Sequence, residues 1–404
     1  MRAVEAAMTV ESLEGAPEDA PQASARFRRL TLTDFRSYAR AEIALDGRPV
    51  VLAGPNGAGK TNILEALSLI GPGRGLRTAR LDELPRIEGT GGWAVAARLE
   101  AAGDERKLGV GASADAPDRR QCRLDDASVS GPSAFADCVR FLWLTPAQDR
   151  LFVEGAGERR RFLDRMTLAH DPAHGRAANA YEQAMRSRQR LLEERSRDEA
   201  WLAALEAQMA EAGVAIAASR RDMASALAAA EVADIADVES AFPGADIALE
   251  GHIETMLASA PAAEVEEAFA ARLKANRRAD AEAGRALIGP HRSDLLVTHR
   301  TKGRPARLCS TGEQKALLVG LVLANARALY LASRFRGRAP LILLLDEIAA
   351  HLDEKRRAAL YDILSALGFQ AFMTGTDHSL FSAWGGRAQS FSVADGEITE
   401  TRAT

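Results

Sequence analysis

Residues Gly54-Pro55-Asn56-Gly57-Ala58-Gly59-Lys60-Thr61 form a complete Gly-x4-Gly-Lys-Thr phosphate loop, directly after the apolar run Val50-Val51-Leu52-Ala53. In such a loop the backbone N–H groups of a Gly-rich turn converge on a phosphate, and the following helix adds the partial positive charge of its N-terminus. The loop needs a neighbouring strand that ends in carboxylates. That strand, Leu341-Ile342-Leu343-Leu344-Leu345-Asp346-Glu347, stands near the opposite end of the chain. The two ends must therefore meet in one α/β sheet, and what lies between them is largely an insertion.

Each residue of the pair of motifs has a chemical reading. Lys60 bridges β- and γ-phosphate oxygens of ATP, and the Thr61 hydroxyl binds Mg²⁺. Asp346 closes five apolar residues, as a central parallel strand does, and holds the Mg²⁺ shell. Glu347 beside it is placed to act as general base on water, which favours hydrolysis over nucleotide binding alone. A bland Gly-rich turn and an ordinary strand end are the alternatives for either motif in isolation; the two together outweigh them.

Shortly before the Asp346 strand stands Ser310-Thr311-Gly312-Glu313-Gln314-Lys315, which resembles the signature motif of ATP-binding-cassette ATPases. It opens an apolar helix, Ala316 to Leu331, whose first amides offer a second anion cradle. A capping box between Ser310 and Glu313 is the plain alternative. In cassette ATPases this cradle meets the γ-phosphate held by the opposite subunit. The resemblance makes Ala349-Ala350-His351-Leu352-Asp353 the D-loop that crosses a dimer interface. It also puts Thr376 where the switch histidine usually stands; His378 is read as a solvent-facing loop residue. A Thr offers hydrogen bonds but no imidazole chemistry, so slow turnover is expected. Gln148, in Thr145-Pro146-Ala147-Gln148-Asp149, is either the coupling-loop glutamine at the metal or a turn residue.

The chain has 404 residues, 47% hydrophobic and 27% charged, with a net charge of -4. It suits a soluble protein of two or three packed units, and any DNA contact must come from local patches rather than a global field. Three widely spaced cysteines, Cys122, Cys138 and Cys309, fit a reduced cytoplasmic chain without a disulfide framework. No apolar stretch approaches the ~20 residues that span a bilayer; the longest, around Ala316 to Ala324, reads as a buried helix. Residues 1–25 read as a disordered extension without signal-peptide order. Strands are expected at Phe27–Leu32, Val50–Ala53 and Phe141–Leu144, with a hairpin of Trp93–Leu99 and Lys107–Val110 around Gly103. Helices are expected at Thr61–Ile70, Glu158–Leu168, Ala177–Glu211 and Gly213–Ala230. The division that follows is an ATPase head from 26–152 and 285–404, with a mainly helical arm lobe, 153–284, inserted between.

Further segments are specific in combination: Leu30-Thr31-Leu32-Thr33-Asp34-Phe35-Arg36-Ser37-Tyr38, Asn62-Ile63-Leu64-Glu65-Ala66, Arg74-Gly75-Leu76-Arg77-Thr78-Ala79-Arg80, Gly157-Glu158-Arg159-Arg160-Arg161-Phe162-Leu163-Asp164 and Ile288-Gly289-Pro290-His291-Arg292-Ser293-Asp294-Leu295. From Phe27 to the C-terminus the chain closely resembles the RecF family, recombination-repair and replication-gap ATPases related to SMC-type heads. The resemblance implies an ABC/SMC-like α/β head, an ATP-dependent homodimer and weak DNA-stimulated ATP hydrolysis. It implies binding to double-stranded DNA and single/double-strand junctions, and work with RecO and RecR to load RecA recombinase during the response to DNA damage. It also adds Arg36, Gln314 and Asp353 to the nucleotide-binding residues.

Two other functions compete. A transporter's nucleotide-binding subunit would have a short insert and a switch histidine, against the long insert and Thr376 here; a non-catalytic ATP-sensing scaffold is opposed by Glu347. Basic groups at Arg159-Arg160-Arg161, Arg186-x-Arg188-x-Arg190 and Arg272-x-Lys274-x-x-Arg277-Arg278 either track DNA phosphates or form solvated helix faces. The seven His residues show no metal-ligand spacing.

Overall fold

The computed structural model describes residues 26–101, 104–195, 198–233, 241–336, 340–350 and 352–401. Residues 1–25, Gly103 and His351 lie outside them. The N-terminal part runs β1 (Arg26–Phe35), β2 (Tyr38–Ala44), β3 (Val50–Ala53), α1 (Lys60–Ile70), β4 (Trp93–Ala101), β5 (Asp104–Ala112), β6 (Gln121–Leu124), β7 (Ala127–Val129) and β8 (Arg140–Leu144). The middle holds α2 (Ala156–His170), α3 (Ala173–Glu193), α4 (Glu199–Ala233), β9 (Ala245–Glu250), α5 (His252–Met256), α6 (Ala262–Ala275) and α7 (Arg277–Ala283). The C-terminal part adds β10 (Asp294–His299), β11 (Arg304–Pro305), α8 (Thr311–Arg336), β12 (Leu341–Leu345), α9 (Glu354–Leu367), β13 (Gln370–Gly375), β14 (Gln389–Ala394) and β15 (Glu397–Thr401).

The two chain ends interleave in one sheet of order β15-β14-β3-β13-β12-β8. All neighbours in it are parallel except the β14–β15 edge pair. Strands covered on both faces need apolar residues at successive positions rather than alternate ones, and every residue of β3 and β12 is buried. The period of two sends their side chains into separate cores. Val50, Leu52, Ile342, Leu344 and Phe372 pack with Ile63, Leu64 and Leu67 of α1. Val51, Leu343, Leu345, Ala371 and Met373 pack with Leu317, Leu321 and other residues of α8. The sheet thus separates the helix that follows the phosphate loop from the helix that follows Ser310.

An antiparallel sheet, β2-β1-β4-β5-β6-β7, covers the far side of α1. Here only one face is buried, and β4 alternates accordingly: Trp93, Val95, Ala97 and Leu99 face inward. Between the head segments, α3, α4 and α6 enclose a third core around Tyr181, Met209, Phe269 and Leu273. The middle of the chain is not helix throughout. Its β9 pairs with β10, and Phe162, Met166, Met223 and Leu227 join the core of the head.

Two expectations fail on local grounds. Instead of breaking at Gly213, the chain turns after Glu193, and α4 runs through Gly213 without interruption. Glycine there answers to packing, since a Cβ would stand 2.8 Å from the Phe269 ring and 3.2 Å from that of Tyr181. The apolar stretch of α8 is also longer than the sequence reading allowed. Thr311–Ala332 is long and apolar enough by composition to cross a membrane, but 72% of its apolar window is buried inside the fold. Its hydrophobicity belongs to the head core. All three cysteines are buried free thiols.

Candidate nucleotide site

The loop between β3 and α1 takes the shape its glycines permit. Gly57 and Gly59 have φ of 84° and 104°, a region that L side chains rarely enter. A Cβ on Gly57 would meet nothing within 4 Å, which leaves the crest open to a ligand. On Gly59 it would stand 2.6 Å from the Tyr38 hydroxyl. Pro55 and Asn56 are exposed at the crest, whereas Ala58, Gly59 and Lys60 are buried. The Lys60 ammonium donates to the Gly54 and Pro55 carbonyls, at 2.7 and 2.8 Å. Burial lowers its pKa, and the nearby Glu347 and Asp346 carboxylates oppose that shift.

The register of three parallel strands brings the distant residues together. β13 lies between β3 and β12, so the carboxyl ends of all three meet at the loop, the edge of an α/β sheet where ligands bind. Thr61 Oγ1 donates to the Asp346 carboxylate, 2.9 Å from Oδ1 and 3.2 Å from Oδ2. Asp346 is 5% exposed. Glu347 follows with φ 49°, left-handed for a non-glycine residue, and its N–H donates to Thr374 Oγ1 at 2.8 Å. Thr374 Oγ1 in turn donates to Asp346 Oδ1 at 2.7 Å.

This arrangement fits ATP with Mg²⁺. The crest offers open space at Gly57, the Lys60 ammonium bonds, among the described residues, to loop carbonyls alone, and a hydroxyl and a carboxylate already touch. Among the described residues no group of three or more His, Cys, Asp or Glu could hold a metal. A phosphate-bound Mg²⁺ needs only one or two protein carboxylates beside the phosphates.

The other sequence-predicted residues take varied places. Ser310 caps α8 through the capping box: its N–H donates to Glu313 at 2.9 Å, and the Glu313 N–H reaches its Oγ at 3.4 Å. The capping-box alternative is what the structure shows at Ser310, and a Cβ on Gly312 would meet nothing within 4 Å. Gln314 is buried and donates to the Cys309 carbonyl at 2.8 Å, so its side chain holds its own turn. Asp353 caps α9 by accepting from the Arg356 N–H. Thr376 and His378 are both exposed just beyond β13.

Gln148 accepts from the Thr145 N–H at 3.0 Å through Oε1, while its Nε2 is buried without a partner. Beside it, Asp149 pairs with the buried Lys315 of α8. Arg36 forks onto Glu65 of α1, at 2.9 and 2.7 Å, and donates to the Glu83 carbonyl. Its guanidinium braces the helix after the phosphate loop, and Arg77 joins the same carboxylate at 3.0 Å.

The basic clusters correct the sequence reading most. Arg159 forms a two-pronged pair with Asp294, and Arg160 donates to the Ser293 carbonyl. Arg188 is 1% exposed and bonds Glu206, Asp280 and the Leu273 carbonyl. Arg277 completes that network through Glu206. A freely solvated helix face does not describe these four; they tie elements together inside the fold. Arg161, Arg186 and Arg278 are exposed, each beside a carboxylate on its own helix. The residue that sequence reading passed over is Thr374. It was visible as a hydroxyl after the apolar run Ala371–Met373, two residues before the position considered for the switch.

A family model described as RecF/RecN/SMC N terminal domain matches residues 26–398. The DNA replication and repair protein RecF of Rhizobium etli (strain CIAT 652) is 51% identical over 371 residues, 92% of this chain and 97% of that one. The chain belongs to the RecF family. The RecF of Mesorhizobium japonicum is 52% identical over 380 residues, covering 94% of this chain and 99% of its own. A solved structure of the recombination mediator protein RecF with ATP in the RecFOR pathway has a TM-score of 0.78 at 21% identity. It covers 96% of this chain and 100% of its own, and it shows the RecF fold here. RecF relatives are DNA replication and repair proteins, and this chain carries the phosphate loop and the Asp346 strand on the fold it shares with the ATP-bound RecF structure.

Proposed function

We propose that this chain is an ATP-dependent DNA-binding clamp of recombinational repair and replication-gap processing. The observation that carries the reading is the separation of two anion cradles by one sheet. Lys60 and Thr61 open the helix on one face, and Ser310 opens the helix on the other. A cradle beyond the opposite face is badly placed to serve the phosphates on its own loop. It is well placed to serve those of a second subunit, and two-fold symmetry then seals two ATP molecules in one isologous interface.

Bound ATP with Mg²⁺ supplies the electrophilic γ-phosphorus and the metal charge. The chain's own residues do the rest. Lys60 would exchange the Gly54 and Pro55 carbonyls for phosphate oxygens, and Thr61 and Asp346 would hold the metal. Gln148, with its unpartnered Nε2, lies in the turn after β8, Arg36 braces α1 through Glu65, Asp353 caps α9, and Glu347 accepts a proton from the attacking water. With Thr376 at the switch position, no imidazole assists, and hydrolysis is slow and DNA-stimulated. The closed dimer binds double-stranded DNA and single/double-strand junctions through the backbone. It works in the cytoplasm with RecO and RecR to load RecA recombinase. The head is 26–152 with 285–404, and 153–284 is its arm.

Light scattering on Glu347→Gln with saturating ATP and Mg²⁺ tests the reading: a dimer is expected, and a monomer with ADP. Lys60→Ala should lose nucleotide binding and association together. Ser310→Arg should keep ATP binding and lose association. A monomeric Glu347→Gln with ATP, or equal loss of ATP binding in both other variants, overturns the composite site.

A further inference from the structure

The hydroxyl of Thr374 stands between the two acidic residues on which hydrolysis depends, and it uses both of its hydrogen-bonding roles. Its proton goes to Asp346 Oδ1 at 2.7 Å, and its oxygen accepts the Glu347 N–H at 2.8 Å. The side chain is completely buried, at 0% exposure, so water cannot replace either bond. The residue sits on β13 directly opposite Leu52 of β3, one position past the Met373–Leu345 pairing with β12. From there it can reach the end of β12.

We propose that Thr374 is a positioning residue that sets the metal-binding face of Asp346 and the aim of Glu347 together. The inference rests on the hydrolytic reading of the site. Asp346 Oδ1 receives Thr61 at 2.9 Å and Thr374 at 2.7 Å, whereas Oδ2 receives only the longer Thr61 contact at 3.2 Å. If Thr61 turned to a bound metal, Thr374 would still hold Oδ1, and Oδ2 would be the oxygen free to meet it. A carboxylate bound to metal through one oxygen is commonly steadied through the other by such a hydrogen bond.

The second bond works on the backbone. Glu347 holds φ 49°, a conformation disfavoured for a residue with a Cβ, which persists only where its surroundings fix it. The Thr374 oxygen is the acceptor for that residue's N–H. Removing it frees the peptide that orients the Glu347 side chain. One hydroxyl therefore links the charge that holds the metal to the group that takes the proton. Valine has the same shape but neither bond; serine keeps both.

The experiment compares Thr374→Val and Thr374→Ser with the unmodified protein, first in nucleotide binding and then in turnover. With a fluorescent ATP analogue and no Mg²⁺, all three should bind alike. The Mg²⁺ concentration for half-maximal tightening of that binding should rise about tenfold in Thr374→Val, the lower end of what loss of an outer-shell partner costs. Its kcat should fall about tenfold or more, with KM changed little, and Thr374→Ser should restore both values. An unchanged Mg²⁺ requirement and kcat in Thr374→Val overturns the inference, as does a Thr374→Ser variant equally impaired. If the unmodified protein hydrolyses no ATP, the functional reading fails by itself, and the Mg²⁺ titration still decides whether Thr374 orients Asp346.

Discussion

Arg159 separates a structural arginine from a DNA contact. Its Nε and Nη2 donate to Asp294 Oδ1 and Oδ2 at 2.7 and 2.8 Å, tying α2 to the start of β10. A further bond runs from Nη1 to the Glu154 carbonyl at 2.5 Å. The pair's side chains are 15% and 18% exposed. That places it between surface pairs worth about 0–1 kcal/mol and buried pairs whose breakage costs about 3–5 kcal/mol. Two charge-assisted bonds in mostly desolvated surroundings put the coupling at about 2 kcal/mol. Urea denaturation of Arg159→Ala, Asp294→Ala and the double variant isolates this energy, because the cycle cancels what each truncation does alone. The double variant should be barely less stable than either single one. A coupling below about 0.5 kcal/mol, with duplex binding weakened and its salt slope reduced by about one, would refute the reasoning and return Arg159 to the DNA path.

Burial pushes the Asp164 carboxyl up, but hydrogen bonds from His174 and Arg220 outweigh it and bring it down to about 2. A carboxyl held below its unfolded value of about 3.9 adds stability above that pH, and the contribution fades as pH falls toward 2. Chemical denaturation between pH 5 and 2.5 should show this loss, and Asp164→Asn should flatten it; an identical slope in the variant would remove Asp164 from the account. Gly213→Ala should destabilise the arm by about 1–3 kcal/mol through overpacking, despite the better helix propensity of alanine. Thermal melting checks it, and a raised Tm would mean that the Phe269 ring yields freely.

What the sequence made legible is what local chemistry dictates. The phosphate loop needs glycines, a lysine and a threonine in fixed order, and a central parallel strand has to be apolar at every position. Both motifs could therefore be read, and with them the union of the chain ends. Side-chain partners formed across the fold were not legible. Arg159 and Arg188 belong to charge runs that look like solvated faces, and only the tertiary contacts with Asp294, Glu206 and Asp280 give them their roles. Gly213 looks like a helix break because propensity counts only the backbone, while its reason for being glycine is a ring on another helix. Short β9 carries alternating exposure like any edge strand, but its charged and small neighbours make it resemble the loops between helices. Thr374 is one hydroxyl near a strand end, and its two partners lie in the turn that follows another strand, β12.

The place of β3 in the sheet bears on how the protein is made. Both of the strands that flank this one, β13 and β14, leave the ribosome more than 300 residues after it. Asp46, just before β3, is hydrogen-bonded to Gln389, 343 residues later. At a translation speed of about 5–20 residues per second, the phosphate loop waits roughly 17–70 s for the strands that will shape it. Meanwhile Val50–Ala53 is an apolar segment with no strand on either side, a target for chaperones and for aggregation alike. A nascent chain that stops before β13 has the whole phosphate loop but no sheet to hold it. Nucleotide binding by a ribosome-bound chain would therefore appear late and abruptly, marking the moment when the two ends close on each other.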